Sequence, residues 1–118
     1  MQGLNLTYDR AETILASMTK QEVKQKLLEA LRRSPYFSDI KLVAVFGSYV
    51  SGTPTEESDV DVLIDFEPTA PIGFFAMSDI KDSLESSIGK PVDLLTPQAI
   101  SKHFRDKVLA EAEYVYER

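Results

Sequence analysis

From Thr19 to the C-terminus, apolar side chains alternate between a spacing of three or four and a spacing of two. Val23, Leu27, Leu28 and Leu31 recur at helical spacing behind Thr19-Lys20-Gln21-Glu22, a capping-box pattern with the cap at Thr19 and its return partner at Glu22. The spacing predicts a helix to about Arg33, ended by Ser34-Pro35. Ile40 to Phe46 is a short β-branched run stopped by Gly47 and predicts a buried strand. Residues 47–57, rich in Gly, Ser, Thr, Pro and Glu, predict a loop with room for one helical turn. Residues 60–66 predict a second strand, with Val60, Val62, Ile64 and Phe66 on one face and Asp59, Asp61, Leu63 and Asp65 on the other.

The same reading gives a turn at residues 68–71 and a helix over 73–87, with Phe74, Met77, Ile80, Lys81 and Leu84 along one side. Gly89-Lys90-Pro91 breaks that helix ahead of a very short strand, Val92-Asp93-Leu94-Leu95. Thr96-Pro97 opens a helix reaching about Ala112, and Tyr114-Val115-Tyr116 adds an edge strand. Residues 1–18 read as a loose arm or, from Asp9 to Met18, a short helix. Helices alternating with short strands predict an α/β or α+β sheet covered on one face. All 118 residues fit one domain, large enough to bury a core.

Composition narrows the chemistry. There is no Cys, which removes disulfides, zinc-thiolate sites and thiol nucleophiles together. No apolar run approaches the ~20 residues of a membrane span, and the N-terminus has no signal-peptide core, so the expectation is a soluble cytoplasmic protein without a membrane partner. The net charge of −6 divides into +2 over residues 1–46 and −8 over residues 47–118. So acidic a chain is not expected to bind nucleic acid directly, because backbone affinity rests on Lys and Arg. Its acidic half would also repel phosphate ligands unless cations sit between.

That condition gives meaning to Asp59-Val60-Asp61. Two residues apart on a strand, both carboxylates point the same way with side chains about 7 Å apart. Such a pair raises each other's pKa and destabilises the fold unless a cation neutralises it, and oxygen-only ligands favour Mg²⁺ or Mn²⁺. An acidic strand face left in water is the commoner meaning of an isolated pair. Here, however, Gly47-Ser48 ends the preceding apolar strand. The glycine lets the backbone approach a ligand closely, and Ser48 offers a hydroxyl and an N–H to a phosphate. Asp93 is a third carboxylate in an apolar strand, and would complete a triad if that strand pairs beside the second.

Gly47-Ser48, ten residues, then Asp59-Val60-Asp61 resembles the signature of the DNA polymerase β-like nucleotidyltransferase superfamily. Phe46 to Gly52 and Ser58 to Ile64, with Val92-Asp93-Leu94 later, are similar to its minimal nucleotidyltransferase (MNT) branch over residues 40–116. The resemblance implies a small mixed sheet flanked by helices, two Mg²⁺ ions (or Mn²⁺), and transfer of AMP or another nucleoside monophosphate from an NTP such as ATP. It implies that Asp59 and Asp61 hold both ions. Asp93 would hold the catalytic ion and help activate the acceptor hydroxyl, while Gly47 and Ser48 contact the triphosphate. The usual companion of the branch is a helical HEPN toxin, to which the MNT protein is antitoxin, in some pairs by adding AMP to a tyrosine. So small a domain leaves the acceptor surface to such a partner or to a second copy of itself. Ser51 stands where many of the branch carry Arg next to the second glycine. This departure keeps a second reading open, a non-catalytic module that neutralises its partner by covering it.

Other residues carry weaker expectations. His103 reads as a solvated helix residue among Lys102, Arg105 and Lys107, and Phe74, Phe75 and Met77 as core or interface. Tyr49, Tyr114 and Tyr116 read as packing residues, and Lys20, Lys24, Arg32 and Arg33 as the solvated side of the first helix.

Overall fold

The computed structural model describes residues 18–51 and 59–118. The short helix expected over residues 9–18 and most of the 47–57 loop therefore lie outside the described residues. The chain order is α1 (Lys20–Arg33), β1 (Ile40–Phe46), α2 (Ser48–Ser51), β2 (Val60–Phe66), α3 (Phe74–Ile88), β3 (Val92–Leu95), α4 (Lys102–Glu111) and β4 (Glu113–Glu117). The four strands form one mixed sheet in the order β3-β2-β1-β4. β1 is antiparallel to both β2 and β4, and β2 runs parallel to β3.

Local chemistry fixes the two long helices. The Glu22 N–H donates to Thr19 Oγ1 at 3.1 Å and the Glu22 carboxylate accepts from the Thr19 N–H, completing the capping box. Val23, Leu27, Ala30 and Leu31 then form one fully buried stripe. α3 ends at Gly89 in the left-handed region, φ 71°, whose N–H donates to the Glu85 carbonyl at 2.8 Å. Glu85 also accepts from the Val92 N–H at 2.8 Å, so the residue that helps close the helix starts the next strand. Ser87 Oγ donates to the Lys26 carbonyl at 2.9 Å and ties α3 to α1.

Most of the core lies on one face of the sheet; on the other, the cross-strand partners Ala44 and Leu63 are also fully buried. Val43, Val45, Val60, Val62, Ile64 and Val92 meet Val23, Leu27 and Leu31 of α1 and Ile80, Leu84 and Ile88 of α3. Tyr49 is buried among them, as packing predicts, while Tyr116 is half-buried and sets its ring 4.9 Å from Phe37. β4 is clasped to the rest by Arg118, which donates to the Ser38 carbonyl at 2.6 Å, and by Lys20, paired with Glu113 at 2.8 Å.

Three expectations need correcting. The last helix does not begin at Thr96-Pro97: Pro97–Ala99 is a 3₁₀ turn, and α4 starts afresh after Ser101, whose Oγ accepts from the His103 N–H. Arg105 pins this break, donating to the Pro97 and Ile100 carbonyls at 2.8 and 3.0 Å. Phe74 and Phe75, expected in the core or at an interface, are 80% and 83% exposed, which leaves the interface reading; Ala76, not Phe74, starts the buried stripe of α3. Tyr114, expected to pack on the edge strand, is 46% exposed.

Replacing Leu27 by Ala empties a fully buried site and is expected to cost about 2–5 kcal/mol in urea unfolding. Thr19→Ala removes the capping box and is expected to cost about 1 kcal/mol.

Candidate active site

The second face of the sheet carries the acidic residues. Val60 and Val62 turn into the core, so the alternation of β2 turns Asp61 the other way. Pairing then decides its neighbours. Across the antiparallel ladder Asp61 stands opposite Phe46, and across the parallel ladder it stands opposite Asp93. β3 therefore pairs beside β2, as a triad requires. Adjacent strands are about 4.8 Å apart, so the two carboxylates are set side by side. Asp93 is exposed, Asp61 is half-buried, and Asp59 is exposed just ahead of β2.

Burial raises the Asp61 pKa above its ordinary 3.8, and the charges of Asp93 and then Asp59 raise it further. Gly47 closes the site from the β1 side. It has φ +75°, and a Cβ built on it would overlap Asp61 Oδ2 and lie 3.0 Å from Asp61 Cγ. Glycine is thus required twice at this position, by the backbone turn and by the carboxylate under it. Ser48, half-buried, follows as the first residue of α2. The side chain of Ser51 and the second glycine of the loop, Gly52, lie outside the described residues.

The donor chemistry fits a hard divalent cation: oxygen ligands only, with Asp61 held at a potential that a cation would relieve. Among the described residues no three His, Cys, Asp or Glu side chains gather closely enough to cage an ion by themselves. Mg²⁺ is ordinarily held by one or two carboxylates plus substrate phosphates and water, so an incomplete protein shell suits it.

Beside Gly47, α4 stands over the same face with no fully buried residue and leaves a groove of about 740 Å³. Phe46, the cross-strand neighbour of Asp61, lies in its wall. The sequence holds a signal for this groove: Phe104, Lys107, Val108 and Glu111 follow the i, i+3, i+4, i+7 spacing of one helix face. His103 is exposed outside that spacing.

The sequence pattern of the nucleotidyltransferase domain matches residues 24–115, which include both strands bearing the aspartates and the glycine turn. The chain belongs to the nucleotidyltransferase domain family. This nucleotidyltransferase is 32% identical to the protein adenylyltransferase MntA of Thermococcus cleftensis over 101 residues, covering 86% of this chain and all of that protein. A solved chain described as a candidate minimal nucleotidyltransferase superposes with a TM-score of 0.66 at 28% identity, over 81% of this chain and 95% of that one. A chain from the complex of tri-AMPylated Shewanella oneidensis HEPN toxin with MNT antitoxin superposes with a TM-score of 0.61 over 85% of this chain and 74% of that one. At 20% identity it shows the shared fold. The mixed four-stranded sheet flanked by helices is the minimal nucleotidyltransferase architecture.

Because the folded state raises the Asp61 pKa, it binds a proton more tightly than the unfolded chain does. The resulting penalty is absent below the ordinary value of 3.8 and fully present above the raised folded value. Metal-free protein is expected to lose this part of its stability as pH rises through that window. Asp61→Asn is expected to remove that part of the pH dependence and raise the Tm at neutral pH; an unchanged or lower Tm contradicts the repulsion.

Proposed function

We propose that this nucleotidyltransferase transfers AMP from ATP to a hydroxyl on a partner protein, a tyrosine of a HEPN-type toxin, and so acts as its antitoxin. The observation that carries the reading is the alignment of Asp61 with Asp93 across β2 and β3, under a glycine that no other residue can replace without displacing the carboxylate. The adenylyltransferase relative and the HEPN–MNT complex support the choice of AMP and of partner.

Asp59 and Asp61 would hold two Mg²⁺ ions, with Asp93 sharing the catalytic one. When bound, such ions supply charge neutralisation for the triphosphate and polarisation of the acceptor hydroxyl. The chain's own residues do the rest. Gly47 keeps the turn open beside Asp61, and Gly47 and Ser48 would contact the phosphates. Asp93, exposed at the sheet edge, accepts the acceptor's proton as the acceptor oxygen bonds to the α-phosphorus. The bond from that phosphorus to the bridging oxygen breaks, and pyrophosphate leaves. Asp61 stays ionised throughout once a cation offsets its neighbours.

The test is an intact-mass assay of a HEPN-type toxin, incubated with the nucleotidyltransferase, Mg²⁺ and ATP. The wild type is expected to add one or more AMP units to the partner. Asp61→Asn is expected to cut the rate by at least about a hundredfold, the scale of losing a preorganised electrostatic contact. Gly47→Ala is expected to act in the same direction by pushing the Asp61 carboxylate aside. No AMP on the partner, with a stable complex that still silences it, would assign the protein as a binding module instead.

A further inference from the structure

The β3 edge of the sheet carries an apolar surface that the acidic site does not use. Phe74 and Phe75 begin α3 almost fully exposed, and their rings pack edge to face with centroids 5.7 Å apart. Phe74, Met77, Ser78, Lys81 and Leu94 line a notch of about 220 Å³ between α3 and β3. A phenyl ring buries about 150–250 Å² when it is covered, so two side by side in water mark an interaction surface rather than scattered exposure.

Size and charge select the occupant. The notch is smaller than the roughly 300–1,000 Å³ of small-molecule pockets and suits a single inserted side chain. Asp79 and Asp82, both exposed, follow Phe75 at i+4 and i+7, and Lys81 is the only basic residue of α3. An anionic membrane surface does not fit, because helices that lie on one set Lys and Arg beside their apolar face. A second copy of the chain fits poorly, because a two-fold contact would set this acidic face against itself. Strand addition is blocked at the start of β3, where Glu85 already accepts from the Val92 N–H at 2.8 Å. What fits is a folded protein with an apolar anchor ringed by Lys or Arg.

Position ties this surface to the reaction. β3 is the last strand on its side of the sheet. Leu94 in the notch directly follows Asp93, the exposed carboxylate on the opposite face. A protein that brings a hydroxyl to Asp93 lies along this edge, within reach of the notch. We infer that Phe74, Phe75 and the notch between Met77 and Leu94 dock the acceptor protein, whose apolar anchor enters the notch while its basic rim faces Asp79 and Asp82. This rests on the reading of a protein as acceptor and adds where that protein is gripped.

Calorimetric titration of the full chain with a HEPN-type toxin, without nucleotide, tests the surface. The intact mass of the same toxin after incubation with Mg²⁺ and ATP tests transfer separately. Phe74→Ser and Phe75→Ser are each expected to weaken toxin binding about thirtyfold or more, the scale of a lost interface anchor. Both residues are exposed, so the melting temperature and the binding of Mg²⁺ with ATP are expected to stay unchanged. Asp82→Lys is expected to slow association at low salt, and an unaltered rate overturns the basic rim. Equal toxin affinity in wild type and both phenylalanine variants, with AMP still added by the wild type, overturns the docking surface and leaves transfer standing. An equal loss of toxin and ATP binding also overturns it. A wild type that sediments as a dimer, and that Phe75→Ser makes monomeric, gives the surface to a second copy and overturns the proposal. Loss of toxin binding in the variants, with no AMP added by the wild type, supports the surface and overturns transfer. A wild type that does not bind the toxin overturns the choice of partner and the surface with it.

Discussion

Asp61 is held in a place that electrostatics disfavours. It is half-buried, it has Asp93 as its register partner on β3, and the charge of Asp59, two residues earlier, reaches it. Each of these conditions favours the protonated carboxyl, and together they lift its pKa. A fold selected for stability alone would place an apolar residue there, because the antiparallel neighbour Phe46 is already apolar. The arrangement makes sense if the site is completed by positive charge arriving from outside, and much of the local structure follows from keeping it open. Gly47 is the clearest case: its positive φ turns the chain away from β1, and its missing Cβ leaves the space that the Asp61 carboxylate occupies.

The division of the sheet into two faces lets the fold sustain this cost. One face is closed by α1 and α3 over a continuous apolar core reaching from Val23 to Val92. The strands that carry the aspartates are anchored through that face, so the opposite face can hold unfavourable charge without loosening the register. The Glu85 contact to the start of β3 and the Gly89 cap fix where β3 begins, and hence which residue meets Asp61. A slip of one residue would turn Asp93 into the core and Val92 to the surface.

The elements most legible in the sequence are those whose patterns are local. The Thr19–Glu22 capping box, the β-branched run of β1 and the alternation of β2 each state their structure within a few residues. The carboxylate pair and the glycine turn were legible for the same reason. The pairing of β3 beside β2 was not, because nothing local in Val92-Asp93-Leu94-Leu95 says which strand it joins; the register supplies that. The break before α4 escaped because Pro97 suits a first helical turn, whereas the stop is made by Arg105 reaching back to two carbonyls. Phe74 and Phe75 fit a helical stripe by composition, yet α3 is rotated so that Ala76 and Ile80 meet the core. The groove under α4 is a tertiary gap, and only the spacing of Phe104, Lys107, Val108 and Glu111 hinted at it.

The central claim is that the unfavourable charge at Asp61 exists to be neutralised by cation and nucleotide together. It is tested most directly by following the Asp61 carboxyl carbon by NMR through a pH titration, without ligand and then with Mg²⁺ and a non-hydrolysable ATP analogue. The account predicts a midpoint above the ordinary 3.8 in the free protein and a fall below it in the complex. The same raised midpoint in both samples would mean that no cation reaches Asp61, and the assignment of this face as an active site would be wrong.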